Sequence, residues 1–185
     1  MAPAPAPMTV DGYLRTPETL LPQELAYGLL HVAEAPSPRH QQAVFAIARA
    51  LDLHVRERGL GQVWISPLDV ILDERRALVV QPDLFFVSRD RAGIVRDRVR
   101  GAPDLVIEVL SPNPRVGDMR DRLGWFAHYG VRECWVYKQS ERELEIHTLT
   151  TSGVLASIAL DEYDAVRSAV LPEFNKRIWD VLDDR

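Results

Sequence analysis

The chain has 185 residues, 46% of them hydrophobic and 26% charged, with 22 basic and 27 acidic side chains and a net charge of −5. This is the composition of one globular domain with a sizeable core, and it excludes both a disordered chain and a strongly basic, unselective nucleic-acid coat. Cys134 is the single cysteine, which excludes an internal disulfide and a thiolate-built zinc site. No apolar run reaches the roughly 18 to 20 residues of a membrane span. The opening MAPAPAPMTV lacks the basic start and apolar centre of a secretory signal, so no membrane partner and a cytoplasmic location are expected.

In chain order, residues 1–8 read as a disordered Ala/Pro tail and 9–185 as a single domain. Thr9 is placed to cap a short helix carrying Val10, Tyr13 and Leu14. Apolar runs on both sides of Tyr27–Gly28 predict a β-hairpin over 23–34. The clearest helix covers 36–59: Val44, Ile47, Leu51 and Val55 form one stripe, and Gly59 is a stop signal. Three strand-like runs follow, 62–72, 77–87 and 102–110, with DERR short enough for a hairpin between the first two. Residues 117–129 predict a second long helix, with Met119, Leu123 and Phe126 on one side and Gly130 ending it. RECWVY and RELEIHTL read as two strands joined by KQSE, and a last helix is expected from Pro172 to Leu182. This order gives an α/β or α+β domain with a mixed sheet.

Three places break local rules. Glu108 interrupts Leu105–Leu110, an otherwise continuous apolar run, and a buried carboxylate must be paired, protonated or metal-bound. Asp83 interrupts the preceding run directly after Pro82, which removes a ladder donor. Each has a structural reading, a paired core glutamate and a Pro-Asp turn. Together, two acidic interruptions in successive core strands suggest one shared site, and two carboxylates suit Mg2+, a hard cation with oxygen ligands. On the second helix Asp118 and Arg122 are four apart, which reads equally as a surface ion pair or as a face leaning over that site. The stretch from Arg89 to Arg100 holds five arginines (Arg89, Arg91, Arg96, Arg98, Arg100) against two aspartates, and suits either a solvated loop or a nucleic-acid backbone. None of the five histidines has zinc-ligand spacing; His40, near a helix start, suits capping more than phosphate contact. There is no phosphate-binding glycine loop and no dinucleotide fingerprint.

The stretches ELAYGLL, SPRHQ, VQPDLFFV, APDLVIEVLSPN and FAHYGVRECWVY, in order over about residues 10–182, resemble the Uma-two family, restriction-endonuclease-like proteins of the PD-(D/E)XK nuclease superfamily. The resemblance implies a restriction-endonuclease-like fold, a mixed β-sheet flanked by helices with an N-terminal β-hairpin. It implies a metal-dependent endonuclease acting on DNA, with Mg2+ as cofactor and Mn2+ able to substitute. Asp83 then matches the aspartate of the Pro-Asp half-motif and Glu108 the second acidic residue, both holding metal. The superfamily's lysine position two residues after that glutamate is Leu110 here. The family's lysine on the following helix falls on Arg122, with Asp118 upstream of it. Glu24 and Asp104 match supporting positions. Arginine stays charged and is a poor base, although it can stabilise a phosphate. Two readings follow: an active endonuclease with Asp83, Glu108 and Arg122 as catalytic residues, or a lapsed nuclease fold kept for binding or structure, with Glu108 and Arg122 as a buried pair. A homodimer is expected by analogy with enzymes that cut two strands.

Overall fold

The computed structural model describes residues 7–17, 19, 21–111 and 118–182. The expected tail lies outside the described residues up to residue 6; Met8, its last residue, donates its N–H to Gly28 O at 2.8 Å. Helix α1 (Val10–Leu14) is capped by Thr9, whose hydroxyl accepts from Gly12 N. Strands β1 (Gln23–Ala26) and β2 (Leu29–Val32) form the expected hairpin. Tyr27 and Gly28 both have positive φ (50° and 88°), as a tight two-residue turn between twisted strands requires. Helix α2 (Pro38–Arg58) runs from the Ser37 cap to Gly59, which takes the left-handed conformation at φ 59°.

The runs 62–72 and 77–87 are not single strands, as expected from the sequence, but two each. β3 (Gly61–Ile65) and β4 (Val70–Asp73) are parted by Pro67, and β5 (Leu78–Val80) and β6 (Leu84–Ser88) by Pro82. A proline cannot donate to a ladder, so the chain leaves one sheet at each and enters another. A 3-10 turn (Arg89–Ile94) and β7 (Val99–Arg100) lead into β8 (Leu105–Leu110), α3 (Met119–Tyr129), β9 (Glu133–Lys138) and β10 (Glu143–Thr150). A strand absent from the sequence reading follows, β11 (Gly153–Leu160). Its six residues from Val154 to Ala159 are all exposed, so they carry no inward/outward alternation to read. The short β12 (Ala165–Val166) and β13 (Lys176–Arg177) pair with each other. The last helix, α4, spans only Ile178–Leu182; the stretch after Pro172 is a turn and β13, with Glu173 at φ 62°.

The six-stranded sheet has the order β11-β10-β9-β8-β6-β3, and the five-stranded sheet β2-β1-β5-β4-β7. Pairing is antiparallel except for β8 with β9 and β4 with β7, which gives the expected mixed architecture. The alternation of β8 divides the core. Leu105, Ile107 and Val109 pack with Val44, Ile47 and Leu51 of α2. Val106 packs on the opposite face with Phe126 of α3 and with Val70, Leu78 and Val80 of the five-stranded sheet. Glu108 therefore faces α3, inside a layer built to be apolar. No helix among the described residues is long and apolar enough to cross a membrane.

Candidate active site

The register Leu84↔Ile107 between β6 and β8 sets Asp83, just ahead of β6, beside the end of β8, where Val109 N donates to Asp83 Oδ2 at 2.8 Å. The two acidic interruptions seen in the sequence thus converge. A parallel β8–β9 pair needs a crossover, and α3 is that crossover, which swings Arg122 over Glu108. Glu108 is 4% exposed and Arg122 3% exposed. Glu108 Oε1 accepts from Arg122 Nε at 3.2 Å and from Nη2 at 2.5 Å. Arg122 Nη1 donates to Glu24 Oε2 at 2.6 Å, and Glu24 Oε1 accepts from Gln81 N at 2.7 Å. One guanidinium therefore bridges the hairpin glutamate and the core glutamate, and Asp83 is near enough for its charge to act on Glu108.

The electrostatics follow from burial and like charge. Glu108 is pushed up to about 7, chiefly by loss of water; Arg122 pulls the other way, and Asp83 and Glu24 add to the rise. Arg122 is held above its usual range: burial opposes its charge, but Glu108 and Glu24 outweigh that. His40, in the first turn of α2, places Nε2 3.2 Å from Asp83 Oδ2, and that bond raises its pKa against the effect of burial. An ionised carboxylate only accepts, so Nε2 carries the hydrogen there. His40 Nδ1 is buried without a hydrogen-bond partner.

Of the expected site residues, the fold brings together Asp83, Glu108, Arg122 and Glu24. Asp104 lies at the other end of β8. It is 1% exposed and accepts from Ser88 N (2.7 Å), Arg91 Nη1 (3.2 Å) and Arg132 Nη2 (2.8 Å). Burial raises its pKa, but the hydrogen bonds from Ser88 and the Arg91 charge outweigh this and hold it below the usual range. Its work is to tie loops to the sheet. Asp118 is exposed and caps α3 by accepting from Arg120 N at 2.8 Å; because Arg122 turns inward to two glutamates, the expected i,i+4 pairing gives way to that cap. The arginine stretch is largely committed within the fold. Arg91 holds Asp104, Arg96 bonds Gly93 O, and Arg100 pairs with Asp97 and Glu74. Arg89 leaves the end of β6 opposite Asp83 and lines a cleft of about 370 Å3 with Arg56, Gly59 and Gly61. Arg98 alone is linked to the site, through Asp69, which also accepts from Tyr13 OH and Gln81 Nε2.

Sequence reasoning passed over His40 as a site residue; its signal was Ser37 three positions earlier, a cap that fixes where the ring must lie. Neither lysine substitutes for Arg122. Lys138 Nζ is held by Glu143 (3.0 Å) and Glu145 (2.7 Å), and Lys176 lies in β13.

Among the described residues no set of three or more His, Cys, Asp or Glu forms a ready metal cage. Mg2+ does not require one, since it is usually held by one or two carboxylates and several waters. Asp83 and Glu108 offer hard oxygen donors. The cluster sets three carboxylates, Glu24, Asp83 and Glu108, against one guanidinium, a surplus of acidic groups that a divalent cation complements. The donor set fits.

The sequence matches the Uma2 family, described as "Putative restriction endonuclease", over residues 10–181. Among solved structures the fold is similar to the crystal structure of a putative nuclease belonging to DUF820 from Anabaena variabilis ATCC 29413. The TM-score is 0.80 at 18% sequence identity, with 96% of this chain and 98% of that one covered. At that identity the likeness establishes the fold. No curated protein matches.

Proposed function

The chain belongs to the Uma2 family of restriction-endonuclease-like proteins, and from that premise we propose that it hydrolyses phosphodiester bonds of DNA with Mg2+ as cofactor. The observation that carries this reading is the convergence of Asp83 and Glu108, from two strands, at one end of the six-stranded sheet. Asp83 and Glu108 would hold the ion, which when bound polarises the scissile phosphate and makes its water a stronger nucleophile. His40 fixes the rotamer of Asp83 through the Nε2–H bond, and Val109 N–H fixes the same oxygen from the strand side. Arg122 is too buried to reach a phosphate and too basic to accept a proton. It is a positioning residue that turns the Glu108 carboxylate and holds it together with Glu24, two like charges that would otherwise repel.

A second reading has its own observation. Glu108 Oε1 is already doubly bonded by Arg122, the buried pair expected of a lapsed nuclease fold. Plasmid nicking by wild type, Asp83→Ala and Glu108→Gln, with Mg2+, Mn2+ or chelator, separates the two. Metal-dependent nicking that both substitutions abolish supports the endonuclease. Folded wild type that neither nicks nor gains thermal stability from Mg2+ supports the lapsed fold.

A further inference from the structure

The hairpin and α3 touch twice, and only the first contact belongs to the carboxylate site. Glu24 on β1 meets Arg122 on α3. Three residues further along each element, Tyr27 meets Trp125 edge to face, with ring centroids 5.7 Å apart at 86°. Three residues of strand cover about 10 Å, so the second contact continues the first along the seam between β1 and α3.

Tyr27 stands where a two-residue turn favours asparagine or glycine. Its φ is 50°, a conformation that strains a bulky side chain. The residue is also 40% exposed, so deep burial does not offset the strain. What the ring holds is Arg76, whose guanidinium lies over it at 5.0 Å. Gly28 N donates to Ala77 O at 3.2 Å, which ties the hairpin tip to the turn carrying Arg75 and Arg76. Both arginines are exposed, and neither forms an ion pair among the described residues. The neighbouring carboxylates are engaged elsewhere. Asp73 accepts from Tyr129 OH at 2.9 Å and from Arg76 N at 3.0 Å, and Glu74 pairs with Arg100 at 3.6 Å.

We infer that this turn, backed by Tyr27 and Trp125, is the surface on which the DNA backbone rests as it enters the site, with Arg75 and Arg76 each meeting a phosphate. This role rests on the nuclease reading, because it needs a phosphodiester chain that also reaches Asp83 and Glu108. A guanidinium presents five N–H donors in a flat fork that matches phosphate oxygens. Stacking on Tyr27 fixes the plane of the Arg76 fork beforehand, so less side-chain freedom is lost on binding. At about 3.4 Å of rise per nucleotide, a seam of about 10 Å sets these phosphates three nucleotides or more from the cleaved bond. Phosphate contacts fix register and carry no sequence information, so this face positions the duplex without selecting its sequence.

Fluorescence anisotropy with a labelled DNA duplex, in chelator so that metal-dependent cleavage does not interfere, tests the assignment. Arg75→Ala and Arg76→Ala should each make the fall of log affinity with log salt shallower by about 0.9, and the double substitution should weaken binding about tenfold or more at low salt. Tyr27→Asn suits the turn, so circular dichroism should be unchanged, yet binding should weaken about threefold because Arg76 loses its support. Tyr27→Phe keeps the ring and should bind as wild type. Arg96→Ala, ahead of β7 at the opposite end of the five-stranded sheet, should leave binding unchanged. A wild type without affinity for the duplex overturns the assignment. So do arginine variants with wild-type affinity and salt slope, or an Arg96→Ala loss equal to that of Arg76→Ala. If such arginine variants and the wild type all nick plasmid with Mg2+, the nuclease reading stands without this face. A wild type that binds through Arg75 and Arg76 but never nicks supports the face and overturns the cleavage.

Discussion

Glu108→Gln keeps the shape of the side chain and removes the charge that burial disfavours. In the folded protein Glu108 keeps its proton up to about pH 7, against an ordinary value of 4.5. Between those values the folded state binds a proton that the unfolded chain has lost, so this group makes stability fall as pH rises. Its contribution is fully present below pH 4.5 and gone above about pH 7. At about 1.4 kcal/mol per pH unit the window is worth roughly 3 kcal/mol. Glutamine has no such slope. Urea unfolding in chelator, across that window, should therefore show the variant gaining on wild type by up to about 3 kcal/mol as pH rises. Titrating groups remote from the site are common to both proteins and cancel in the difference; His40 does not cancel fully, because the Glu108 charge contributes to its raised pKa and is missing from the variant. Parallel curves would refute the reasoning, because they would mean that Arg122 compensates Glu108 fully and burial does not govern it. With Mg2+ in place of chelator the wild-type slope should flatten, since a metal competes with the proton for the carboxylate.

Three further outcomes are expected. Arg122→Ala leaves the buried Glu108 and the half-buried Glu24 without their cation and should cost about 3–5 kcal/mol in urea unfolding, more than Arg122→Lys, which keeps the charge but cannot span both glutamates. Asp104→Ala leaves the Ser88 N–H and two arginines unpartnered and should cost about 1–3 kcal/mol. Because the Asp104 pKa is lowered, that cost is present above the unfolded carboxylate value of 3.8 and shrinks as pH falls through the lower folded value, while any Mg2+-induced rise in melting temperature persists. Gly59→Ala forces a side chain into φ 59° with its Cβ against Arg89 Nη2, and should lower stability by about 1–2 kcal/mol by thermal melting.

The sequence was most legible where local chemistry decides structure. Thr9, Tyr27–Gly28 and Gly59 all act where their side chains or glycine freedom predicted. Asp83 and Glu108 were conspicuous because each is a charge inside an apolar run. Long-range partition was harder to read. Pro82 reads as an interruption within a strand and Pro67 passes without notice in the run 62–72, yet each sends the chain from one sheet to another, and only the assembled sheets reveal it. β11 was invisible because six consecutive exposed residues impose no alternation. Asp104 entered as a supporting position through the family resemblance alone, and β8 is six residues long with two ends that serve different purposes: loops are anchored at Asp104, carboxylates gathered at Glu108.

Arginine in place of lysine on α3 follows from what surrounds it. A lysine at Arg122 could meet one carboxylate well and the other poorly. The fork of arginine meets Glu108 through Nε and Nη2 and Glu24 through Nη1, with the Phe126 ring 5.5 Å beneath it. A group so engaged cannot release a proton, and its charge rises in permanence with each carboxylate that it contacts. The site therefore gains a fixed carboxylate and loses a titratable amine. Any water activated there must give its proton to something other than this helix residue. Leaving Arg122 in place and removing Asp83 separates positioning from metal binding: Asp83→Asn should leave the Glu24–Arg122–Glu108 bridge and the stability it confers intact. The same substitution should abolish the response to Mg2+, read as the shift in melting temperature with and without the ion. An Asp83→Asn protein that still gains stability from Mg2+ would place the cation elsewhere than between Asp83 and Glu108.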